Sequence, residues 1–349
     1  MRKDLTISID AMGGDNAPEI VIKGVEYYLK HEGKNRDVRF LLHGNKGVLS
    51  PLLKKALLTK NCSDIIHTEK LIEMDAKPSQ ALRRGKNSSM WNSIASVKDG
   101  VACVAVSAGN TGALMAMSKL QLRMKVGVTR PAIVATWPQK NNWCVVLDVG
   151  ANIECDAVQL TEFAILGEAF YRALHKKNKP SVGLLNVGTE ELKGNAVIKA
   201  AHERLSNGHL NLNYKGYVEG TDISNGNIDV VVTDGFTGNI ALKTAEGTAK
   251  LIGYFFNQAL FGNLWSKITT FANSYSLLRL KRQIDPRRAN GGVFLGLNGI
   301  IIKSHGGTDH IGFANAVGVA LDLAESSFMS EIDISLNMLH ENGVEGSNK

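Results

Sequence analysis

The segment ISIDAMGGDNAP (Ile7–Pro18) passes from a β-branched apolar run into a glycine-rich turn and ends on a proline that suits the first turn of a helix. Four further segments repeat the order of strand, glycine turn and helix start: VAVSAGNTG (Val104–Gly112), VVLDVGANIE (Val145–Glu154), GLLNVGTEELKGN (Gly183–Asn195) and VVVTDGFTGN (Val230–Asn239). Loops of this kind lie outside the carboxyl ends of parallel strands. We therefore expect the five loops to gather at one edge of a parallel sheet and to face a shared cleft.

Strand-like and helix-like patterns alternate along the rest of the chain, and no linker rich in Pro, Gly or Ser separates them. This alternation is typical of a doubly wound α/β fold, so the sequence predicts one domain over residues 1–349. A helical hairpin at about 242–290 is its elaboration, because apolar residues recur there at three-to-four spacing. The last predicted helix is Ile311–Phe328, and the tail at 341–349 is expected to be disordered.

Composition limits the cellular setting. The chain has 349 residues, a net charge of +7 and four scattered cysteines without a CxxC pair. We therefore expect free thiols in a reducing cytoplasm rather than disulfides or a zinc site. The opening MRKDLTISID lacks the apolar core of a signal peptide, and no run of 18 apolar residues occurs, so we expect a cytoplasmic protein.

The basic balance of the chain fits phosphate, an acidic protein or an anionic lipid surface, or the ordinary variation among soluble proteins. Nucleic acid is disfavoured, because the chain has no recognition-helix, zinc-finger or RNP pattern and only 6% aromatic residues.

The loop SAGNTG has the features of a phosphate site. Gly109 and Gly112 permit close backbone approach, and neutral donors are available at Ser107, Asn110 and Thr111. The first N–H groups of a helix lack intrahelical partners, and the helix dipole adds positive charge at that end. We expect this loop to hold phosphate, although helix capping alone also explains Asn110 or Thr111.

Other loops supply charged and polar candidates. Lys193 follows two glutamates in what reads as a helix start, where a cation is unfavourable, so it is a site candidate. Asn239 lies at another helix start, either as a cap or as an amide donor to substrate. His305 lies beside Lys303 in a glycine-rich loop, either as a base or as a packed ring.

Several common site types have no support in the sequence. Asp10 and Asp15 flank the paired glycines of AMGGD, where they fit turn and cap chemistry, ordering of the loop or binding of a basic partner, since carboxylates repel phosphate. No GxGxxG, GxxxxGK[ST] or GxSxG pattern occurs, so a dinucleotide fingerprint, a P-loop and a serine nucleophile elbow are unsupported. His305 and His310 have no further ligand cluster beside them, so we expect no metal and no other cofactor.

The second half of the predicted hairpin, 263–290, carries six basic residues against one acid, Asp285. The basic residues are Lys267, Arg279, Lys281, Arg282, Arg287 and Arg288. Apolar residues cluster where the hairpin is expected to turn: Phe255, Phe256, Phe261, Leu264 and Trp265. They fit a core or dimer interface, or a tip that contacts a membrane surface or a partner.

Eight motifs follow one another along the chain. They are IDAMGGD (Ile9–Asp15), ALRRGKNSSM (Ala81–Met90), VSAGNTGALMA (Val106–Ala116), LDVGAN (Leu147–Asn152), LLNVGTEELKGN (Leu184–Asn195), TDGFTGN (Thr233–Asn239), DPRRANGG (Asp285–Gly292) and GLNGIIIKSHG (Gly296–Gly306). Together they resemble the bacterial phosphate acyltransferase family, the acyl-acyl carrier protein:phosphate acyltransferases of phospholipid synthesis. The resemblance runs end to end and departs at Ala289, where the family usually has tyrosine, and at Gly85, where a basic residue is common.

The resemblance implies a Rossmann-like three-layer α/β/α sandwich, similar to isocitrate dehydrogenases and phosphotransacetylases, with a projecting helical hairpin. It implies transfer of a fatty acyl group from acyl-acyl carrier protein to inorganic phosphate, which gives acyl phosphate for glycerophospholipid (phosphatidic acid) synthesis. The expected partners are the acyl carrier protein, inorganic phosphate and a second copy of the chain in a homodimer. Peripheral contact with the inner face of the plasma membrane and with a downstream glycerol-phosphate acyltransferase is also expected.

The resemblance also assigns roles to residues. Lys193 is expected to neutralise phosphate or the oxyanion, Asn239 to donate to the same centre, and His305 to protonate the leaving sulfur. The expected phosphate- and substrate-binding residues are Gly13, Gly14, Asp15, Ser107, Gly109, Asn110, Thr111, Asn152, Thr189, Glu190, Asp234 and Lys303. The expected contacts with the carrier protein or a membrane are Phe261, Leu264, Trp265, Arg279, Lys281, Arg282, Arg287 and Arg288.

Three other functions fit part of the sequence. A phosphotransacetylase-like enzyme that uses acyl-coenzyme A would share the fold and the phosphate loops, and only a comparison of donors separates it. A non-enzymatic scaffold that docks lipid-synthesis proteins at a membrane does not need the polar residues of five loops. A dinucleotide dehydrogenase lacks its glycine fingerprint.

Overall fold

A computed structural model describes residues 5–33, 36–140, 142–207, 210–261 and 285–345. In these ranges eleven strands form one sheet in the order β3-β2-β1-β4-β11-β10-β5-β6-β9-β7-β8. The strands are β1 (Leu5–Asp10), β2 (Val38–Gly44), β3 (Ser63–His67), β4 (Val104–Ser107), β5 (Ala132–Pro138), β6 (Trp143–Leu147), β7 (Ser181–Leu185), β8 (Asn213–Val218), β9 (Val230–Val232), β10 (Gly292–Leu295) and β11 (Ile300–Lys303).

Helices cover both faces of this sheet. They are α1 (Glu19–His31), α2 (Lys46–Leu53), α3 (Leu57–Asn61), α4 (Pro78–Arg84), α5 (Ser89–Lys98), α6 (Thr111–Leu122), α7 (Ala157–His175), α8 (Ala196–Ser206), α9 (Asp222–Asn225), α10 (Gly235–Phe261), α11 (His310–Glu325) and α12 (Phe328–Glu345), with a 3-10 turn at Pro286–Ala289.

The strands alternate their side chains between two hydrophobic layers, as the period of two requires. In β6, Val145 and Leu147 pack into the layer that holds α1, α7, α8, α11 and α12. Cys144 and Val146 of the same strand pack into the layer that holds α4, α5, α6 and α9. All four side chains are fully buried. The expected three-layer α/β/α sandwich is confirmed.

The sheet is mixed, so the expectation of one parallel sheet with all loops at one edge is wrong. The strands β1, β2, β3, β4 and β11 are mutually parallel, and so are β6, β7, β8 and β9. Between the two sets, β10 is antiparallel to both neighbours and β5 is antiparallel to β6. Three reversals leave the two sets antiparallel to each other. The glycine loops therefore leave the sheet in two opposite directions.

The register nevertheless brings both sets of strand ends to one row of the sheet. Val293 of β10 pairs with Ile302 of β11 on one side and with Val134 of β5 on the other. Val134 in turn pairs with Leu147, the last residue of β6. Strands of both sets therefore end at this row, which they approach from opposite directions. At about 3.3 Å per residue along a strand, Lys303 and Asp148 lie only about 7 Å apart in that direction.

Two strands were not predicted, β5 and β8. Neither strand lies in one of the five segments where an apolar run passes into a glycine turn and a helix start. Strand β5 instead turns directly back into β6, and Gln139 N–H donates to the Asn142 carbonyl at 2.9 Å. This antiparallel turn is one of the reversals that make the sheet mixed.

The C-terminal prediction was wrong in two respects. Helix α11 ends at Glu325, and a separate helix, α12, continues to Glu345, so residues 341–345 are helical rather than disordered. Phe328 of α12 is 2% exposed and meets the Phe170 ring of α7 edge-on at 5.5 Å between centroids. Ile332 and Leu336 follow at four-residue spacing and are also buried.

Helix α10 is 27 residues long and covers the first part of the segment where a hairpin was expected. The second arm was expected within 263–290, and residues 262–284 lie outside the described residues. Of the helices in the described ranges, none combines the length and the apolarity needed to cross a membrane.

We expect Phe328→Ala to lower the free energy of unfolding by about 3 kcal/mol, because it leaves a cavity beneath α12. Ile334→Ala on the same helix is the control. Since Ile334 is 51% exposed, that change should stay within about 0.5 kcal/mol. Urea unfolding of both variants measures the difference. Equal losses would contradict the docking of α12 through Phe328.

Candidate functional site

The loops fall into two groups because the strand ends do. The first loop group follows β1, β4 and β11 and comprises residues 11–18, 108–110 and 304–309. The second loop group follows β6, β7 and β9 and comprises residues 148–156, 186–195 and 233–234.

A buried carboxylate organises the first loop group. Asp10, at the end of β1, is 1% exposed, and its Oδ2 accepts a hydrogen bond from Ser107 Oγ at 2.6 Å. Gly109 N–H donates to the same Ser107 hydroxyl at 3.0 Å. A Cβ on Gly13 would lie 2.4 Å from Asp10 Oδ2 and 2.8 Å from the Gly109 nitrogen. The loops after β1 and β4 therefore pack on each other through glycine.

Burial raises the pKa of Asp10 above its usual range, although hydrogen bonds from Ser107 and the surrounding loops oppose this effect. Its second oxygen, Oδ1, is buried without a hydrogen-bond partner in the described ranges. Hydrogen bonds within the described ranges therefore satisfy only one of the two carboxyl oxygens of Asp10.

Lys303 brings a cation to this group. It ends β11 and pairs in register with Ser107. Its ammonium donates to the Ala108 carbonyl at 3.4 Å and also contacts the Ser304 carbonyl. Burial lowers the pKa of Lys303 to about 8, against the opposing attraction of Asp10 and Asp15. At neutral pH the side chain therefore remains mainly protonated.

Asn290 fixes the loop that carries His305. Its Oδ1 accepts from the His305 backbone N–H at 2.9 Å, and its Nδ2 donates to Ser304 Oγ at 2.9 Å and to the Gly312 carbonyl at 2.7 Å. Gly307 N–H donates to His305 Nδ1 at 3.3 Å. Burial and the neighbouring ammonium groups lower the pKa of His305, so the neutral ring is favoured.

A second buried carboxylate organises the second loop group. Asp148, directly after β6, is 0% exposed. Its Oδ1 accepts from the N–H groups of Ile133 at 3.0 Å, Gly150 at 3.2 Å and Ala151 at 3.0 Å. Its Oδ2 accepts from the backbone of Asn152 at 2.7 Å and from the Asn152 side chain at 2.9 Å. Burial raises the pKa of Asp148, and these bonds oppose it.

The start of α10 packs tightly on this loop. Gly235 N–H donates to the Asn152 carbonyl at 2.7 Å, and a Cβ on Gly235 would lie 2.5 Å from that oxygen. A Cβ on Gly238 would lie 1.9 Å from the Asp148 carbonyl oxygen. Asp234 caps the helix, since its carboxylate accepts from the N–H and the hydroxyl of Thr237, both at 2.8 Å. Glycine is thus required where α10 meets the second loop group.

Helix α10 then leads from the second loop group to the first. Asn239 lies against Gly150, and a Cβ added to Gly150 would be 3.6 Å from the Asn239 side chain. One turn later Lys243 lies on the same face of the helix, because residues four apart are stacked. Its ammonium is 3.4 Å from His305 Nε2 and is paired with Glu246 at 2.8 Å. Asn239 and Lys243 therefore connect the two groups.

The reason given for Lys193 was wrong, because no helix begins there. Residues 189–194 form turns, and α8 begins at Ala196 with Asn195 as its cap, accepting from Ile198 N–H at 2.9 Å. Lys193 is exposed and lies over Gly188. A Cβ added to Gly188 would lie 3.1 Å from Lys193 Cγ and 2.6 Å from the Glu190 carboxylate. In the described ranges Lys193 has no hydrogen bond or ion pair with Asn239 or His305.

Several predicted binding residues hold the loops themselves. Asn110 caps α6 by accepting from Ala113 N–H at 2.9 Å, and its amide donates to the carbonyls of Met74 at 2.6 Å and Ala76 at 3.0 Å. Asn152 donates to the Pro131 carbonyl at 2.8 Å. Ser107 and Asp234 are engaged as described above.

The remaining predicted binding residues lie at the surface of the loop groups. Thr111 and Thr189 are exposed, as is Asp15, whose N–H donates to the Gly306 carbonyl at 3.0 Å. Gly14 has a φ of +114°, a conformation that favours glycine.

The predicted carrier and membrane contacts are only partly described. Arg287 binds Asp285 through its Nε and Nη2 atoms and Asp309 through Nη1 at 2.8 Å, so it closes the loop onto α11. Arg288 is exposed and has an interaction of its own. Five others lie outside the described residues: Leu264, Trp265, Arg279, Lys281 and Arg282. The side chain of Phe261 is also outside the described part of the chain.

Sequence reasoning missed Lys243, Asn290 and Asp148. The signal for Lys243 was its position four residues after Asn239 on one helix face. Asn290 and Asp148 belong to motifs already singled out. The partners of Asn290 lie 14 to 22 residues away, and Asp148 joins its own loop to Ile133, 15 residues away. Within the described ranges, no three His, Cys, Asp or Glu side chains group in a way that suits a metal ion.

Comparison with known proteins adds three findings. A family model described as "Fatty acid synthesis protein" matches residues 5–331. The chain is 53% identical over 333 residues to the phosphate acyltransferase of Maricaulis maris, covering 95% of each chain. It is 50% identical over 339 residues to the phosphate acyltransferase of Caulobacter vibrioides, covering 97% of this chain and 93% of that one.

Among solved structures, the EutD phosphotransacetylase from Staphylococcus aureus superimposes with a TM-score of 0.59 at 17% identity. The superposition covers 92% of this chain and 94% of that chain. At this identity the likeness establishes the fold.

We expect Gly238→Ala to separate the start of α10 from the second loop group, because the added Cβ has no room beside the Asp148 carbonyl. The overpacking should lower the free energy of unfolding by about 2 kcal/mol and speed amide hydrogen exchange in the first turns of α10. Gly247→Ala, where a Cβ meets nothing within 4 Å, is the control and should be neutral or stabilising by up to about 1 kcal/mol. Identical behaviour of the two variants would refute the contact.

Proposed function

The chain belongs to the fatty acid synthesis protein family and is an acyltransferase, and we propose that it moves a fatty acyl group from the thioester of an acyl carrier protein to inorganic phosphate. The product would be an acyl phosphate, which supplies phosphatidic acid synthesis. The proposal is supported by the names of the relatives, by the two loop groups and by the charges that surround them.

The observation that carries the proposal is the concentration of cations around the first loop group. Lys303 lies beneath the loop after β4, and Lys243 reaches the same group from α10. The first N–H groups of α6 add a partial positive charge. In the second loop group the charged groups nearest the helix start are Asp148 and Asp234. Asp10 and Asp15 also lie near Lys303, but two ammonium groups and the start of α6 face the first group, so phosphate is favoured there.

The chemistry required of the protein is modest, because phosphate is already an anionic nucleophile. A phosphate oxygen attacks the thioester carbon, and a C–O bond forms while the carbonyl oxygen becomes an oxyanion. The oxyanion then collapses, the C–S bond breaks, and the thiolate takes up a proton. The protein has to hold phosphate beside the carbonyl and to stabilise the developing charges.

We assign these tasks to residues on both sides of the central row. Lys303 and the start of α6 hold phosphate, and the Asn239 amide donates to the oxyanion. Lys193 neutralises charge at the same centre. His305 protonates the leaving thiolate, and the Lys243 ammonium, 3.4 Å from His305 Nε2, is an additional proton source at the same place.

The proposal also includes the setting of the enzyme. We propose a homodimer in the cytoplasm that touches the inner face of the membrane and a downstream glycerol-phosphate acyltransferase. The outer part of α10 supports an interface of some kind, because Leu251, Tyr254 and Phe255 are more than half exposed there.

Release of free thiol from palmitoyl-acyl carrier protein tests the proposal. We expect release that depends on phosphate, with acyl phosphate trapped as the hydroxamate by hydroxylamine. Release with palmitoyl-coenzyme A but not with the carrier would overturn the donor and favour a phosphotransacetylase-like enzyme. No release with either donor would overturn the reaction itself.

We expect Asn239→Ala and Lys193→Ala each to lower kcat by about 100-fold, the usual loss when one donor to an oxyanion is removed. Lys199→Ala on the exposed face of α8 is the control for the loss of a surface cation and should keep wild-type turnover. Steady-state kinetics with saturating phosphate measures the effect. Near wild-type turnover in both site variants would contradict their roles.

We expect the KM for phosphate to rise as pH increases through about 8. Lys303 is charged below its pKa of about 8 and attracts phosphate, and it is neutral above that pKa and does not. Lys303→Met should have a high KM at every pH, and Lys303→Arg should keep a low KM without the rise. A rise that persists unchanged in Lys303→Arg would assign the titration to another group.

A further inference from the structure

A short basic segment borders the first loop group. The residues KPSQALRRGKNS, from Lys77 to Ser88, contain four cations and no acid. They comprise α4 and the turns on either side of it. The four cations, all exposed, are Lys77, Arg83, Arg84 and Lys86.

These four cations do not stabilise the fold through ion pairs. None of the four has an ion pair with a carboxylate in the described part of the chain, whereas Arg36, Arg39, Arg172 and Arg287 all do. The last turn of α4 carries Arg83 and Arg84 side by side, and the buried Gly85 follows them. A Cβ on Gly85 would lie 2.4 Å from both the Ala81 carbonyl and Met117 Cε. Glycine thus lets α4 sit closely on α6 while the flanking cations face solvent.

The basic segment is tied directly to the proposed phosphate loop. Pro78, the first residue of α4, lies 2.8 Å from the Cβ position of Gly112. Just before α4, the carbonyls of Met74 and Ala76 accept from the Asn110 amide. Arg83 and Arg84 end this seven-residue helix, so they lie only about 10 Å along its axis from the contact between Pro78 and Gly112. A partner bound to the arginines would stand beside the first loop group.

We propose that α4 and its flanking turns are the docking surface for the acidic carrier protein that delivers the acyl thioester. Clustered, unpaired cations at the rim of a site attract an acidic partner and speed its encounter. The carrier would rest on Arg83 and Arg84 and extend its thioester arm along α4 toward the SAGNTG loop. This inference rests on the proposed function, since it names the surface for the donor of that reaction.

The surface differs from the one that the sequence indicated. From the sequence, the carrier was expected to contact the hairpin arm together with Arg287 and Arg288. Arg287 is held by Asp285 and Asp309, so its charge is largely neutralised within the chain. The α4 arginines carry no such partners in the described ranges.

The test is the affinity of fluorescein-labelled holo-acyl carrier protein, without an acyl group, measured by fluorescence anisotropy at low salt. We expect Arg83→Glu/Arg84→Glu to raise the Kd at least about tenfold, and Arg83→Gln/Arg84→Gln to raise it less. The KM for phosphate and the turnover of S-palmitoyl-pantetheine, a donor without the carrier, should stay unchanged. Unchanged turnover of that donor also shows that the variants fold.

The matched control is Lys199→Glu/Lys215→Glu, which makes the same change in charge on exposed residues of α8 and β8 at the far edge of the sheet. Its Kd should stay within about twofold of the wild type. An unchanged Kd in Arg83→Glu/Arg84→Glu, or an equal loss in the control, would overturn the docking surface even if thiol release depends on phosphate. Binding that depends on the arginines without thiol release would support the surface and count against the reaction.

Discussion

The structure depends on two carboxylates that are buried at the ends of central strands. Removing a carboxylate from water is costly unless hydrogen-bond donors surround it. Asp148 meets this requirement with four backbone N–H groups and one side-chain amide, and the loop after β6 has to wrap around it. Asp10 plays the corresponding part for the first loop group through Ser107, but its Oδ1 is left without a partner in the described ranges.

The two carboxylates also explain where glycine is needed. Gly13 closes over Asp10 and Gly235 closes over Asp148, each at a distance that leaves no room for a Cβ. Because the two sets of strands are antiparallel and offset, these two centres lie on either side of one row of the sheet. Helix α10 bridges them, with Asn239 at one centre and Lys243 at the other. The proposed site has its phosphate side at the first centre and its thioester side at the second.

The sequence predicted the fold class and all five loops, because strand, glycine turn and helix start are local signals. It did not predict strand direction: an apolar run such as that of β10 reads the same in a parallel and an antiparallel sheet. Nor did it separate residues that hold a loop from residues that face a ligand. Asn110 is both a cap and a tether to residues 34 and 36 positions away, and only the folded chain reveals those partners. Lys193 was chosen for a helix start that the structure places at Ala196.

The central claim is that phosphate binds in the first loop group, beside Lys303 and the start of α6. A crystal structure of the protein grown with phosphate tests it most directly. The account predicts phosphate density within hydrogen-bond distance of Lys303 Nζ and of the N–H groups at the start of α6. Phosphate bound instead among Asp148, Gly150 and Asn239, with the first loop group empty, would contradict it.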